Sequence, residues 1–239
     1  MRSLDYIGTG CCAGSANAKN DYTTMLGKHQ LSSEKTELDR VSHWENVYST
    51  KQTTEVSWFE AEPTTSLNVL DQLLPQGGRI IDVGGGASFL VDRLVEKGNW
   101  DVTVLDIAST AIKHTRKRLG EVAGDVHWIC EDITETKQLM KYEVWHDRAV
   151  FHFLTNPIDR QAYLDRLNES LIGGGYVVVA TFAPDGPEKC SGLPVCRYSV
   201  DELANLLGKE FKLSTNSQLV HLTPTGKIQQ FTLAVFQKV

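Results

Sequence analysis

The chain has 239 residues, of which 41% are hydrophobic and 23% are charged, and its formal net charge at pH 7 is −6. This composition is typical of a globular protein and excludes a broad basic surface, so no nucleic-acid partner is expected. No apolar run reaches the roughly 20 residues of a membrane-spanning helix, so no membrane partner is expected either.

Residues 1–35 are mostly small and polar and lack the apolar core of a signal peptide. We therefore expect a flexible N-terminal segment there. The five cysteines are odd in number and scattered, which favours reduced thiols and a cytoplasmic location. Cys190 and Cys196 are close in sequence, but a structural zinc site needs four ligands, so no metal site is predicted.

The remaining residues, 36–239, are predicted to form one domain. Its first part, residues 36–75, contains two amphipathic helical patterns, at 39–50 and 63–75, which predict an N-terminal helical lid. From residue 76 onward, strand and helix patterns alternate. The predicted strands cover 78–84, 100–108, 126–133, 143–154 and 176–183, and the predicted helices cover 88–98, 109–121, 159–175 and 199–210.

Two longer strand patterns, 211–223 and 227–239, then follow each other with only a short turn between them. Alternating strands and helices predict a parallel sheet with helices on both faces. Successive strands joined by a short turn predict an antiparallel hairpin. The predicted fold of residues 76–239 is thus a Rossmann-like α/β core with seven mostly parallel strands and a C-terminal antiparallel hairpin.

A glycine-rich stretch, Asp82-Val83-Gly84-Gly85-Gly86-Ala87-Ser88, follows the first predicted strand. Glycine at Gly84 and Gly86 lets the backbone turn tightly and approach a ligand. Both dinucleotides and S-adenosylmethionine (SAM) are bound by such turns. The dinucleotide fingerprint needs a third glycine at the position that Phe89 occupies, so NAD is disfavoured.

Acidic residues also end the next two predicted strands, at Asp106 and Asp132. Ligands of open α/β sheets bind beyond the carboxyl ends of the strands, so both acids are candidate binding residues. Asp106 is suitably placed to accept ribose hydroxyl groups, a feature that NAD proteins share.

From about Asp39 to Val239, the glycine loop, the strand-end acids and the terminal hairpin make the chain resemble the class I SAM-dependent methyltransferases. In that superfamily the loop is acid-x-Gly-x-Gly-x-Gly, and here Ser88 replaces the last glycine. The resemblance implies SAM as the cofactor. It implies a SAM site made of Asp82 near the methionine ammonium, the backbone of the loop, Asp106 at the ribose, and adenine contacts from three residues, Ile107, Asp132 and Ile133.

The Trp-x-Asp-Arg run at the fourth strand, with Ala149 after it, resembles thiopurine-type and other thiol methyltransferases. In this comparison, Asp147 and His152 face the region of methyl delivery, and they are the candidate catalytic residues. Trp44 and Trp58 correspond to aromatic residues that cover SAM. The same N-terminal stretch also resembles elongation-factor lysine methyltransferases.

The predicted function is SAM-dependent methyl transfer to a small-molecule nucleophile, with a thiol or a similarly soft atom as the first candidate. A protein lysine methyltransferase is the alternative, and a non-catalytic SAM-binding module is the second alternative. A closed pocket would favour a small molecule as the partner, whereas an open acidic groove would favour a protein lysine. The sequence contains no indication of the oligomeric state.

Overall fold

Alternating strands and helices dominate the computed structural model, which describes residues 40–239. These residues form one unit. The expected flexible segment, 1–35, and the first four residues of the expected lid lie outside the described residues. No helix in the described part of the chain combines the length and the apolar character needed to cross a bilayer.

The described strands are β1 (Gly78–Val83), β2 (Trp100–Asp106), β3 (His127–Cys130), β4 (Tyr142–Arg148), β5 (Leu171–Phe182), β6 (Lys189–Cys190), β7 (Leu193–Pro194), β8 (Phe211–Leu222) and β9 (Ile228–Lys238). The α-helices are α1 (residues 40–50), α2 (Thr64–Leu73), α3 (Leu90–Lys97), α4 (Ser109–Leu119), α5 (Pro157–Ser170) and α6 (Val200–Leu207). Short 3-10 turns cover Thr53–Glu55, Gly120–Asp125 and Phe151–Phe153.

The main sheet has seven strands in the order β3–β2–β1–β4–β5–β9–β8, and β6 pairs with β7 in a separate small hairpin. Strands β1 to β5 pair in parallel, whereas β9 runs antiparallel to both β5 and β8. This arrangement confirms the predicted fold class. It also brings the carboxyl ends of β1 to β5 to one edge of the sheet, where ligands of such folds bind.

Strand β4 lies in the middle of the sheet, and its alternating side chains reach both faces. On one face, the indole Nε1 of Trp145 donates to the hydroxyl of Tyr163 in α5 at 2.7 Å, and this hydroxyl donates to Asp147 Oδ2 at 2.6 Å. Asp147 also accepts the backbone N–H groups of Val150 and Phe151, at 2.9 and 3.0 Å. This network therefore joins α5 to the turn that follows β4.

The predicted strand over 143–154 is too long, because the observed strand ends at Arg148. Ala149 has a φ of 71°, a left-handed conformation that breaks the extended chain, and the 3-10 turn Phe151–Phe153 follows. The predicted helix over 159–175 is also too long. Helix α5 ends at Ser170, and the glycines after it form the irregular beginning of β5.

We expect Tyr163→Phe to lower the free energy of unfolding by about 1–3 kcal/mol, because it removes the hydroxyl between two buried partners. Tyr176→Phe is the matched control, since its hydroxyl accepts only a 3.2 Å bond from the side chain of Gln237 near the surface. The control should change stability by no more than about 0.5 kcal/mol. Urea denaturation measures the free energy of unfolding of both variants, and an equal decrease in the two would contradict the role of the network.

Candidate functional site

A cavity lies beyond the carboxyl ends of β1, β2, β3 and β4. Seven of the predicted binding residues line it, namely Trp44, Trp58, Gly84, Asp106, Ile107, Asp132 and Ile133. A second cavity borders the glycine loop, where Asp82 contributes to its wall. The walls of the two cavities share four residues, Trp58, Val83, Gly84 and Arg148, so the cavities are adjacent and together form the candidate site.

The glycine loop is closely packed against neighbouring residues of the chain. Gly84 has a φ of 72°, and a Cβ there would lie 2.1 Å from Val150 Cγ2. A Cβ on Gly86 would lie 2.6 Å from Asp106 Oδ2. A side chain at either position would therefore displace the residues that surround the cavity.

Asp106 ends β2 as predicted, and backbone donors hold its carboxylate. Oδ2 accepts the N–H of Gly86 at 3.0 Å, and Oδ1 accepts the N–H of Ala108 at 2.8 Å. Burial raises the pKa of Asp106 to about 6, although these two hydrogen bonds act in the opposite direction. Each carboxylate oxygen has two lone pairs, so Asp106 can also accept hydrogen bonds from a ligand.

Asp82 is buried at the end of β1 and has one engaged and one free oxygen. Oδ1 lies 2.6 Å from Nδ1 of His146 in β4. Among the described residues, no hydrogen-bond donor reaches the buried Oδ2. A buried carboxylate oxygen without a partner is costly, and a cationic ligand in the second cavity would compensate for it.

Asp132 lines the main cavity but is partly engaged by the lid helix. Oδ2 lies 2.8 Å from Nη2 of Arg40 in α1, and Oδ1 accepts the backbone N–H and the hydroxyl of Thr134 at 2.9 and 2.8 Å. Arg40 also forms an ion pair with Asp159 of α5 at 2.8 Å. The acid that ends the third predicted strand thus helps to hold α1 over the cavity.

Four aromatic side chains cover the main cavity. Trp44 lies at the centre of the cluster, with ring centroids 5.6 Å from Trp58 and 5.0 Å from Phe153. Tyr48 packs against Trp58 at 6.1 Å. Edge-to-face contacts of this kind fix the rings in place, so the N-terminal segment forms an aromatic cover.

The segment that carries Trp58 is joined to the sheet by polar contacts. Arg148 at the end of β4 donates to the carbonyl of Trp58 at 2.9 Å and forms an ion pair with Glu60 at 2.7 Å. His221 of β8 lies with Nε2 2.7 Å from the carbonyl oxygen of Ser57. Both ends of this short segment are therefore fixed against the edge of the sheet.

Asp147 and His152, which the resemblance implies at the point of methyl delivery, line neither of the two cavities. Asp147 is fully buried against Tyr163 and caps the turn after β4. His152 is also fully buried, with its ring centroid 4.5 Å from that of Phe153 and 4.7 Å from that of Phe182. Burial and the nearby Arg148 lower the pKa of His152 to about 3, so the ring stays neutral. The left-handed turn at Ala149 places it in the core.

Several residues of the site carried no signal in the sequence. Glu45 of α1 accepts the N–H groups of Ser109 and Thr110, at 2.7 and 3.2 Å, and so caps α4 from a distant part of the chain. Arg40 and Cys190 line the main cavity. Each of these positions depends on a contact far away in sequence, which a local pattern does not record.

Ser88, where the superfamily more often has glycine, lies two residues before the first residue of α3. Its hydroxyl accepts the backbone N–H of Leu90 at 3.0 Å, and its carbonyl accepts a bond from Arg118 at 2.7 Å. The guanidinium of Arg118 lies 3.9 Å from the ring centroid of Phe89. A serine here therefore stabilises the start of the helix at the rim of the second cavity.

Residues 81–177 match a protein family described as a methyltransferase domain. Residues 81–177 therefore form a methyltransferase domain, as the sequence predicts. The match confirms the predicted methyltransferase activity and supports SAM as the cofactor. No curated protein sequence matches the chain.

Solved structures with the same fold are distant in sequence from this methyltransferase. The 1,6-didemethyltoxoflavin-N1-methyltransferase of Burkholderia thailandensis is 18% identical, with 95% of this chain and 93% of that chain covered and a TM-score of 0.60. The N-methyltransferase NodS of Bradyrhizobium japonicum is 14% identical, with 81% and 97% covered and a TM-score of 0.60. A structure reported for the conversion of a disulfide bond into a thioacetal group during echinomycin biosynthesis is 16% identical, with 82% and 91% covered and a TM-score of 0.63.

Within residues 40–239 of the methyltransferase, no group of three or more His, Cys, Asp or Glu side chains is arranged to hold a metal ion. Two groups that line the main cavity also keep their protons at neutral pH. Burial raises the pKa of the Cys190 thiol to about 11, and burial together with the nearby Asp106 raises that of the Tyr48 phenol well above its usual value. Neither group is a base for an incoming acceptor.

We expect the stability of the wild-type methyltransferase to fall, relative to Asp106→Asn, as the pH rises from 4 to 6. The folded state holds the Asp106 proton up to about pH 6, whereas an unfolded chain releases it near pH 4. The native state binds more protons in this window, so its relative stability decreases with pH, by up to roughly 3 kcal/mol. Urea denaturation of both proteins at four pH values measures the difference, and parallel stability curves would contradict the raised pKa.

Proposed function

We propose that this methyltransferase transfers the methyl group of SAM to a small-molecule nucleophile, with a thiol or a similarly soft atom as the first candidate. The observation that carries the proposal is that the two cavities are adjacent. A cradle of glycines and carboxylates lies beside a cavity that aromatic side chains of α1 line. A covered cavity of this kind suits a small acceptor better than a protein lysine.

The residues at the loop fit the charged end of SAM. The buried Oδ2 of Asp82 lacks a partner among residues 40–239, and the ammonium group of SAM would supply one. Gly84 allows the loop to turn tightly against Val150, and Asp106 retains lone pairs for the ribose hydroxyls. When bound, SAM supplies an activated methyl group on a cationic sulfur.

The remaining candidate residues surround the base and the sulfonium. Ile107 and Ile133 would contact the adenine ring, and Asp132 keeps a lone pair on Oδ2 for the adenine amine beside Arg40. The faces of Trp44 and Trp58 provide the electron-rich surroundings that favour a sulfonium cation. We therefore retain these five residues as the proposed cofactor contacts and remove Asp147 and His152 from the proposed catalytic set.

The acceptor end of the cavity favours a nucleophile that needs little help to lose its proton. A thiol ionises near pH 8.5, whereas a lysine amine, near 10.4, must be deprotonated and desolvated first. Tyr48 and Cys190 retain their own protons, so neither would assist a lysine. The work of the chain is then to align the acceptor with the methyl group and to exclude water.

Structural neighbours support small acceptors without identifying one for this chain. The Burkholderia enzyme was solved with 1,6-didemethyltoxoflavin and S-adenosylhomocysteine bound. The echinomycin structure concerns chemistry at a disulfide. The same fold therefore accommodates small heterocycles and sulfur-containing compounds. The free thiols Cys130, Cys190 and Cys196 support the proposed cytoplasmic location.

We expect Trp58→Leu to weaken SAM binding about tenfold, because it removes an aromatic face beside the sulfonium and loosens the cover. Trp100→Leu is the matched control, since Trp100 begins β2 at the opposite end of the strands. Calorimetric titration of SAM into both variants measures the effect. Equal losses in the two variants would show that Trp58 contributes only to general stability.

The acceptor class is tested by incubating the full chain with SAM that carries a labelled methyl group. A panel of small thiols, a panel of small amines and a cell extract are the three acceptor sources, with the Trp58→Leu variant as the low-activity control. The proposal expects label in the small thiols. Label only in the amines would show that the acceptor atom is nitrogen and not sulfur. Label only in protein bands of the extract would favour a protein lysine and contradict the proposal.

A further inference from the structure

Three buried polar side chains form a hydrogen-bonded line from α2 across β4 to the end of β1. Ser66 Oγ lies 2.9 Å from Nε2 of His146, and Nδ1 of His146 lies 2.6 Å from Asp82 Oδ1. The exposed fractions of Ser66, His146 and Asp82 are 7%, 4% and 3%. All three residues border the second cavity beside the glycine loop.

The direction of the hydrogen bonds follows from the chemistry of the groups. An ionised carboxylate only accepts, so Nδ1 of His146 carries a proton and donates it to Asp82. In the neutral ring, Nε2 is then the acceptor of a hydrogen bond that the Ser66 hydroxyl donates. Bonds between an N–H donor and a carboxylate are among the stronger ones in proteins, and a separation of 2.6 Å is short for that class.

The three residue types are those of serine-hydrolase triads, but here the atom without a partner belongs to the carboxylate and not to the serine. In a hydrolase the line presents a serine oxygen to the substrate. In this chain the atom of the line that lacks a hydrogen-bond partner among the described residues is Asp82 Oδ2. The arrangement therefore prepares the carboxylate, rather than the serine, for a ligand.

The backbone also holds this carboxylate in one place. Asp82 and His146 are directly paired in the register of the parallel strands β1 and β4. A Cβ on Gly85 would lie 2.2 Å from Asp82 Oδ2, so this oxygen lies directly against the loop backbone. With Oδ1 bound to the imidazole, the plane of the carboxylate is determined and Oδ2 faces the loop.

We propose that His146, supported by Ser66, is a positioning residue that orients Asp82 so that its free oxygen receives the ammonium group of SAM. This inference rests on the proposed function and adds two residues to it. His146 acts through Asp82 and does not itself contact the cofactor. Its loss should therefore weaken the binding of ligands that carry the ammonium group and leave the binding of ligands that lack it unchanged.

Two substitutions at His146 distinguish its hydrogen bond to Asp82 from its hydrogen bond to Ser66. The amide nitrogen of asparagine lies near the position of Nδ1, so His146→Asn can still donate to Asp82. Glutamine places its amide near the position of Nε2, so His146→Gln keeps a partner for Ser66 but loses the donor to Asp82. The inference expects SAM affinity to fall about tenfold in His146→Gln and to stay within about threefold of wild type in His146→Asn.

Three probes identify the part of the ligand that is affected, each measured by calorimetric binding to the full chain. SAM and decarboxylated SAM both carry the ammonium group, whereas 5′-methylthioadenosine lacks the whole amino-acid part. In His146→Gln, the first two should lose about tenfold in affinity, and methylthioadenosine should change by less than about twofold. A loss of affinity for SAM alone, with the affinity for decarboxylated SAM unchanged, would assign the effect to the carboxylate of SAM and overturn the inference.

A merely structural role predicts a different pattern. Equal losses for SAM and methylthioadenosine in His146→Gln, or equal losses in the Asn and Gln variants, would overturn the inference. If His146→Gln does not fold, Ser66→Ala provides the test, with about threefold weaker binding of SAM and unchanged binding of methylthioadenosine expected. A wild-type chain that binds methylthioadenosine but not SAM would instead contradict the proposed function, before any variant is compared.

Discussion

The candidate site depends on the burial of two carboxylates against one glycine loop. Asp82 and Asp106 end adjacent parallel strands, and both lie so close to the loop that a Cβ on Gly85 or Gly86 would collide with them. Backbone N–H groups and an imidazole partly satisfy these acids. Asp82 Oδ2 has no hydrogen-bond partner among the described residues, and the oxygens of Asp106 retain lone pairs, so we propose that a ligand with hydroxyl groups and a positive charge completes the arrangement. SAM has both.

The N-terminal part of the described chain is fixed over this cradle by ion pairs and aromatic packing. Arg40 joins α1 to the ends of β3 and α5, and Arg148 joins the segment around Trp58 to β4. The aromatic side chains between these two anchors cover the cavity. The two anchors therefore hold the aromatic side chains of the N-terminal part beside the main cavity.

The sequence predicts the sheet and the strand-end acids well, because both follow from local patterns. A buried strand that ends in an acid and glycines is recognisable by itself, and the terminal hairpin follows from two strand patterns with a short turn. The place of His152 was not predictable, because one residue, Ala149, reverses the strand alternation by adopting a φ of 71°. Ser66 and Arg40 were also missed, because their partners lie 80 or more residues away in sequence.

The central claim is that the loop and the strand-end acids form a SAM site and not a dinucleotide site. Calorimetric titration of the full wild-type chain with SAM, and separately with NAD, tests it most directly. The account predicts micromolar binding of SAM with one molecule per chain and no binding of NAD. Micromolar binding of NAD without binding of SAM would contradict it.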